Sequence, residues 1–232
     1  MKIIAVSGTK NTGKTTLVTK IVAELTKRGF NVGTVKHTHH KFDTEGRDTW
    51  KHKEAGAEIV VGSGNETFFT LQESMDLDTI LSVLKFIKNP DFVVLESFKH
   101  SEYAKVCTSD IEDDFTIAKV NVFKMDQKDV ELLVDLIEER SYSFLQNMDY
   151  KKLGFKNSTD LAKAIINGDL KYEDEIIEPN DILLRIDGSI IPMNLFVQDF
   201  IKSTIEGMLK SLKTDEYGAL DSDKIEIIIN KK

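Results

Sequence analysis

The segment best suited to chemistry is a glycine-rich loop near the start of the chain, Gly8-Thr9-Lys10-Asn11-Thr12-Gly13-Lys14-Thr15. It has the G-x-x-x-x-G-K-T spacing of a phosphate-binding loop and follows an apolar, strand-like run, Ile3-Ile4-Ala5-Val6. Glycine at both ends lets the backbone bend so that successive N–H groups point at a phosphate, and the first turn of the following helix adds partial positive charge. The pattern and its context predict a nucleotide-binding site; the competing interpretation is a coincidental Gly/Thr-rich turn ahead of a helix.

Side chains of this loop can be assigned separate roles toward a bound nucleotide. We expect Lys14 to reach the β- and γ-phosphates, Thr15 to ligate Mg²⁺ through its hydroxyl group, and Thr16 to contact the α-phosphate. The other expected nucleotide-binding residues of the loop are Gly8, Asn11, Thr12 and Gly13.

Two acidic residues are candidates for the magnesium site. Glu96 ends an apolar strand-like run, Phe92 to Leu95, which is where nucleotide hydrolases of this type carry an acidic residue that holds magnesium through water. Asp43 follows the second predicted strand, where a switch segment would approach the γ-phosphate, and is the rival metal contact. The predicted catalytic residues are Lys14 and Glu96.

Histidines are concentrated in one short segment that includes His37, His39 and His40 and begins beside Lys36. One interpretation is an anion site for a second phosphorylated ligand beside the nucleotide, since imidazole and ammonium groups donate to phosphate oxygens. Its residues would be Lys36, His37, His39 and His40. A second is a transition-metal site built from the three histidines. A third is a solvated loop whose basic residues are nearly balanced by nearby acidic ones.

The sequence gives a weaker signal for whether the nucleotide carries guanine or adenine. GTP-binding proteins often carry Asn-Lys-x-Asp after a strand, with the carboxylate accepting hydrogen bonds from the guanine edge. Here the segment Phe123-Lys124-Met125-Asp126 keeps the lysine and the aspartate but lacks the asparagine. Asp126 is therefore a candidate guanine contact, although Lys-x-Asp also occurs by chance.

The elements that must position these residues alternate between strand and helix. Helical patterns are predicted over 15–28, 44–56, 78–88 and 127–139, and strands over 31–36, 57–61, 66–71, 92–95 and 116–123. This alternation predicts an α/β fold of the P-loop nucleotide hydrolase type, with a mostly parallel sheet covered by helices on both faces and ligands at the carboxyl ends of the strands.

The pattern changes beyond about residue 145. Helices are predicted over 157–166 and 194–212, a hairpin over 182–191 with a turn at Asp187-Gly188, and a final strand over 225–229. We therefore predict two domains, a GTP-binding domain over 1–145 and a small α+β C-terminal extension over 146–232.

Composition narrows the functional classes. The chain has 232 residues and a formal net charge of −8, so a general attraction for nucleic acid or an anionic membrane is not expected. The single cysteine, Cys107, cannot form an internal disulfide bond, which fits a reducing compartment. Because no long apolar stretch is present, we expect neither a signal peptide nor a membrane span, and a cytoplasmic location.

Four segments together resemble the MobB family, which is named for molybdopterin-guanine dinucleotide biosynthesis. They are the phosphate-binding loop, Val32 to His40, Asp43 to Ala57, and Leu95 to His100, in matching order and spacing over roughly residues 2 to 140. The segment Leu184 to Phe196 is similar to a C-terminal extension that some members carry. Ser97-Phe98 departs from the family pattern, in which Gly-Phe is more common at this place.

The resemblance implies a GTP-binding accessory protein that uses Mg²⁺, acts with molybdopterin guanylyltransferase and helps attach GMP to molybdopterin. It also implies a homodimer and slow GTP hydrolysis, so that the chain would be at most a slow GTPase serving as an adaptor. By position, Asp43 and Glu96 would surround the magnesium. Two alternatives stay open: a small-molecule kinase that uses the same loop, and a metal-delivery GTPase that binds nickel or zinc through its histidines.

Overall fold

A computed structural model describes residues 1–38, 43–145, 148, 150–151, 153–172, 182, 184–186, 189–190, 193, 195–212, 225 and 227. The chain divides into two compact units, residues 1–143 with 162–171, and residues 144–161 with 172–232. The predicted domain division between residues 145 and 146 stays a prediction.

The elements up to residue 140 alternate much as the sequence suggests. They are β1 Lys2–Ser7, α1 Lys14–Lys27, β2 Val32–Lys36, α2 Asp48–Glu54, β3 Ile59–Ser63, β4 Thr67–Leu71, α3 Leu77–Ile87, β5 Phe92–Glu96, β6 Lys105–Cys107, β7 Thr116–Lys119 and α4 Gln127–Arg140. Between β7 and α4 the chain makes a short 3₁₀ turn, Val122–Lys124.

Five of these strands form a parallel sheet in the order β2-β5-β1-β6-β7. Every residue of β5 and residues 3–7 of β1 are buried. Because successive side chains of a strand point to opposite faces, both faces at the centre of the sheet are covered. The predicted α/β fold with a mostly parallel sheet is confirmed.

Helix α1 packs against β1 and β5 and runs beside α4. Its apolar stripe is buried as the helical spacing predicts, at Leu17, Val18, Ile21 and Leu25. At the end of α1, Arg28 lies 3.0 Å from Glu24 and 2.6 Å from both Asp135 and Glu138 of α4. The hydrogen bond from Arg28 holds the pKa of Glu24 below its usual range. This cluster links the end of α1 to α4 by charge.

The pairing of β3 and β4 differs from the predicted alternation. They form a separate two-stranded antiparallel hairpin and do not extend the parallel sheet. Ile59 pairs with Leu71 and Val61 with Phe69, and all four side chains are exposed. Since paired residues share a face of a hairpin, these four make one continuous apolar face, called here the hairpin face.

Other boundaries also differ from those predicted. Helix α2 covers only Asp48–Glu54 of the predicted 44–56, and β7 ends at Lys119 before the 3₁₀ turn. Strand β6 was not predicted at all, because three residues are too few to show a period.

Beyond α4 the described elements are α5 Ser158–Asn167, β8 Arg185–Ile186, β9 Ser189–Ile190 and α6 Leu195–Ser211. β8 and β9 pair antiparallel, as the predicted hairpin requires. Most of the strand predicted over 225–229 lies outside the described residues. Across the part of the chain that is described, no helix is both long and apolar enough to cross a bilayer.

Candidate nucleotide-binding site

The phosphate-binding loop connects the carboxyl end of β1 to the first turn of α1, as predicted. Asn11 and Gly13 have left-handed backbone angles, with φ of 63° and 86°, and Gly13 is the residue that precedes α1. A Cβ atom on Gly8 would lie 2.2 Å from the hydroxyl oxygen of Thr108, so a side chain there would collide. Glycine at both ends is therefore a steric requirement of the loop.

Hydroxyl groups hold this loop in shape. Thr12 donates a hydrogen bond to the carbonyl oxygen of Thr9 at 2.9 Å, and its hydroxyl lies 2.6 Å from that of Thr108. Thr108 in turn donates to the carbonyl oxygen of Ser7 at 3.1 Å, and the N–H of Thr9 donates to the hydroxyl of Ser109 at 3.2 Å. The residues that follow β6 thus support the loop that follows β1.

Sequence reasoning missed Thr108 and Ser109. The only available signal was their place directly after a strand, and that strand, β6, is too short to be predicted. Since β6 pairs with β1 in the sheet, its carboxyl end meets the loop at the same edge.

Lys14 lies in the first turn of α1, and its ammonium group donates to the carbonyl oxygen of Thr9 across the loop. Thr15 and Thr16 follow it and are exposed. An ammonium group and the first N–H groups of a helix converge here, which is a suitable environment for phosphate oxygens.

Glu96 ends β5 and is buried, with its side chain 9% exposed. The hydroxyl of Thr15 donates to its Oε1 atom at 2.8 Å, and the ammonium group of Lys36 lies 3.0 Å from the same oxygen. The register explains this meeting: Lys36 of β2 and Val6 of β1 both pair with Glu96 of β5. Three predicted site residues, Thr15, Lys36 and Glu96, are therefore in contact.

The oxygen atoms at this place fit a magnesium ion. Because the hydroxyl group of Thr15 donates its hydrogen bond to Glu96, its lone pairs stay available to a hard cation, and the carboxylate could hold a metal-bound water. Asp43 accepts a hydrogen bond from Thr49 at 3.2 Å, and its Oδ2 atom is buried with no hydrogen-bond partner in the described part of the chain. That oxygen is a separate candidate for contact with a cation.

The segment with the histidines is only partly described. The N–H of His37 donates to the carbonyl oxygen of Glu96 at 3.0 Å, and its ring lies 5.6 Å from that of Phe98. His39 and His40 lie outside the described residues. Among those that are described, no group of His, Cys, Asp and Glu side chains is arranged to hold a metal ion. Both the anion site and the transition-metal site stay predictions.

Asp126 lies at the start of α4. Its carboxylate accepts the N–H of Asp129 at 2.9 Å, and the side chain of Asp129 accepts the N–H of Asp126 at 3.1 Å. This reciprocal pair is a capping box, which stabilises the beginning of the helix. The guanine contact of Asp126 stays a prediction.

Ser97 follows Glu96 with a φ of 76°, in the left-handed region that favours glycine. Its N–H donates to the carbonyl oxygen of Val6 at 3.1 Å, so the turn after β5 is tied to β1. The backbone here explains why a glycine would be preferred at this position.

The chain is similar to several known proteins. The sequence model described as Molybdopterin guanine dinucleotide synthesis protein B matches residues 3–128. A protein of Methanocaldococcus jannaschii, provisionally named a molybdopterin-guanine dinucleotide biosynthesis adapter protein, is 31% identical over 100% of this chain and 99% of its own length. The Escherichia coli protein of that name is 32% identical over 45% of this chain and 63% of its own. The crystal structure of Bacillus subtilis MobB is 22% identical with a TM-score of 0.45, over 58% of this chain and 97% of its own.

Proposed function

The chain belongs to the family of molybdopterin guanine dinucleotide synthesis protein B, and from that membership we propose that it is a GTP-binding adapter in the formation of molybdopterin guanine dinucleotide. In this role it binds GTP and Mg²⁺ and assists the guanylyltransferase that attaches GMP to molybdopterin. The observation that carries the proposal is the contact between the phosphate-binding loop and Glu96 through Thr15.

Successive residues of the loop contact different parts of the nucleotide. The backbone from Gly8 to Gly13 surrounds the β-phosphate, Lys14 exchanges its contact with the carbonyl of Thr9 for phosphate oxygens, and the start of α1 adds positive potential. Mg²⁺, when bound, neutralises phosphate charge. Thr15 and Glu96 would hold the ion, with Asp43 as the rival contact.

We further propose that hydrolysis is slow. The Oε1 atom of Glu96 accepts a hydrogen bond from Thr15, and the carboxylate is assigned to Mg²⁺ in the nucleotide-bound state, so it is poorly suited to take a proton from an attacking water molecule. A slow hydrolase fits an adapter, because the nucleotide-bound state then lasts long enough to act on a partner.

The hairpin face supports a homodimer. Ile59, Val61, Phe69 and Leu71 lie side by side on one face and are 38–56% exposed. Monomeric proteins seldom leave neighbouring large apolar side chains uncovered in this way. We propose that the face packs against a second copy of this chain.

The first test is calorimetric titration of the purified protein with GTP and then with ATP, each with Mg²⁺. We expect GTP to bind more tightly and to turn over slowly, and Lys14→Ala to remove binding while the protein stays folded. A preference for ATP would argue against the guanine contact of Asp126 and favour the kinase. Binding of GTP by the Lys14→Ala variant would refute the role of the loop.

The adapter role needs a separate measurement. Purified guanylyltransferase, molybdopterin and GTP are combined with and without this protein, and molybdopterin guanine dinucleotide is quantified by chromatography. We expect the wild-type chain to increase the yield and the Lys14→Ala variant to give no increase. Equal yields with and without the wild-type chain would exclude the role.

A further inference from the structure

Lys36 occupies an unexpected place for a residue assigned to a second ligand. It is the last residue of β2, and its ammonium group lies 3.0 Å from Oε1 of Glu96, the oxygen that also accepts the hydroxyl of Thr15. A positive charge of the chain itself therefore sits on the carboxylate that the proposed function assigns to magnesium.

From this contact we propose that Lys36 is a built-in counter-cation of Glu96, which competes with Mg²⁺ for that carboxylate and so lowers the magnesium affinity of the nucleotide site. The inference rests on the proposed function, because it presupposes that a magnesium–nucleotide complex binds at the loop. It assigns Lys36 to the nucleotide site and makes it a positioning residue, since it acts through Glu96.

Burial explains why Glu96 needs a counter-cation. Its side chain is 9% exposed at the end of a wholly buried strand, and a carboxylate withdrawn from water is costly unless a positive group or hydrogen bonds compensate it. The hydroxyl of Thr15 gives one hydrogen bond, and Lys36 gives the charge. The side chain of Lys36 is 49% exposed, so it can move into solvent when another cation arrives.

The competition follows from charge. An ammonium group at 3.0 Å neutralises most of the field of the carboxylate, so a divalent cation gains less from approaching it. Either the lysine withdraws and the ion pair is lost, or it stays and repels the metal. In both cases removal of the charge at residue 36 strengthens magnesium binding.

The sheet provides a matched control. Lys119 is the last residue of β7, as Lys36 is the last residue of β2, and its ammonium group pairs with the exposed Asp110 at 2.7 Å. Its side chain is 43% exposed, close to the value for Lys36. Lys119→Met therefore also removes one positive charge at the carboxyl end of a strand, but it does not remove a partner of Glu96.

The experiment is a calorimetric titration of Mg²⁺ into the protein saturated with GDP, with binding as the only readout. We expect Lys36→Met to tighten magnesium binding about tenfold, Lys36→Arg to stay near the wild type, and Lys119→Met to change it less than about twofold. In a Glu96→Gln background the Lys36→Met change should have no further effect, because the carboxylate that mediates it is gone.

Each outcome decides the matter. Weaker or unchanged magnesium binding in a folded Lys36→Met variant that still binds GDP overturns the inference, and so does an equal gain in Lys119→Met. If Lys36→Met does not fold, Lys36→Gln and Lys36→Arg are compared in its place, and equal magnesium affinity in the two rejects the competition. Failure of the wild-type chain to bind any guanine nucleotide would instead overturn the proposed function.

Discussion

The hydroxyl group of Thr12 lies 2.6 Å from the hydroxyl group of Thr108, and this contact joins the phosphate-binding loop to the end of β6. Thr108 also bonds to the carbonyl oxygen of Ser7, where the loop begins. One residue outside the motif thus contacts both the start and the middle of the loop, and it restricts the conformations that the loop can adopt before a phosphate binds.

Replacement of Thr108 by valine should weaken nucleotide binding. The variant keeps the shape of the side chain but loses the hydrogen bond to Ser7 and the polar contact with Thr12. Part of the free energy of nucleotide binding must then be used to order the loop. We expect GTP affinity to fall roughly fivefold to tenfold by calorimetry, for a loss of about 1 kcal/mol. Thr19→Val is the control, because the exposed hydroxyl group of Thr19 donates within α1, to the carbonyl oxygen of Thr16. Equal losses in the two variants would contradict the role of Thr108.

Replacement of Ser97 by glycine should stabilise the protein. Ser97 has a left-handed φ of 76°, which costs a residue with a Cβ atom about 1 kcal/mol and glycine almost nothing. Part of this gain is offset by the greater freedom of glycine in the unfolded chain. We expect the free energy of unfolding in urea to rise by up to about 1 kcal/mol. Ser97→Ala should give no gain, and an alanine variant as stable as the glycine variant would argue against backbone strain.

Replacement of Arg28 by methionine should destabilise the contact between α1 and α4. Arg28 is 23% exposed and is the shared partner of Glu24, Asp135 and Glu138, so its loss leaves three carboxylates close together. We expect a decrease of about 2 kcal/mol in the free energy of unfolding. Lys27→Met is the control: Lys27 is 63% exposed and also contacts Glu24, but solvent screens an exposed ion pair, so its loss should cost much less. Equal decreases would show that net charge, and not this cluster, is responsible.

Asp76 should make part of the stability depend on pH. Its side chain caps α3 by accepting a hydrogen bond from the N–H of Thr79 at 2.9 Å. This hydrogen bond is the main reason that the pKa of Asp76 is lowered, and a second hydrogen bond, from the hydroxyl group of Thr79, also lowers it. A lowered pKa means that the stabilisation is present above the unfolded value of about 4 and is lost as the pH falls through the folded value. Asp76→Ala should cost about 1 kcal/mol at pH 7 and less at pH 3, by urea unfolding.

Asp76→Asn separates the cap from its charge. Asparagine caps helices about as well as aspartate, so this variant should retain most of the stability at pH 7 without the titration of the carboxyl group. A pH profile for Asp76→Asn identical to that of the wild type would show that other carboxyl groups cause the acid-induced loss.

The proposed homodimer can be tested at Phe69, which is 56% exposed on the hairpin face. A carboxylate on the hairpin face would have to be buried between two copies, which is energetically costly. Phe69→Asp should therefore convert the dimer to a monomer, as measured by light scattering after size-exclusion chromatography. Phe86, 57% exposed on α3, is the control, and Phe86→Asp should leave the mass unchanged. A dimeric Phe69→Asp variant would exclude this face.

The local parts of the fold were predictable because their signals lie within a few residues of one another. The loop from Gly8 to Thr15, the apolar stripe of α1 and the buried strand β5 each follow from spacing or composition alone. The residues that complete the site were harder to predict. Lys36 meets Glu96 because β2 and β5 are neighbours in the sheet, and the order of strands is a property of the whole chain.

Two further features of the structure could not be predicted from the local sequence, for a similar reason. The apolar runs of β3 and β4 look like strands of a sheet, but nothing within them indicates that they pair only with each other. Ser97 is an ordinary loop residue by composition, and its left-handed backbone arises because its N–H is held by Val6 of β1. In both cases the deciding partner is an element elsewhere in the chain.

The loop that carries the phosphate-binding motif depends on residues that are made much later in the chain. Its partner Glu96 lies 81 residues after Thr15, and Thr108 lies 96 residues after Thr12. An N-terminal fragment that ends before Phe92 would therefore contain the whole motif and yet lack β5 and β6, which pair with β1 on its two sides. Such long-range pairing is slow to form and closes large loops of chain. Nucleotide binding by a growing or refolding chain should thus begin only when the sheet is complete, which makes it a signal that folding has finished.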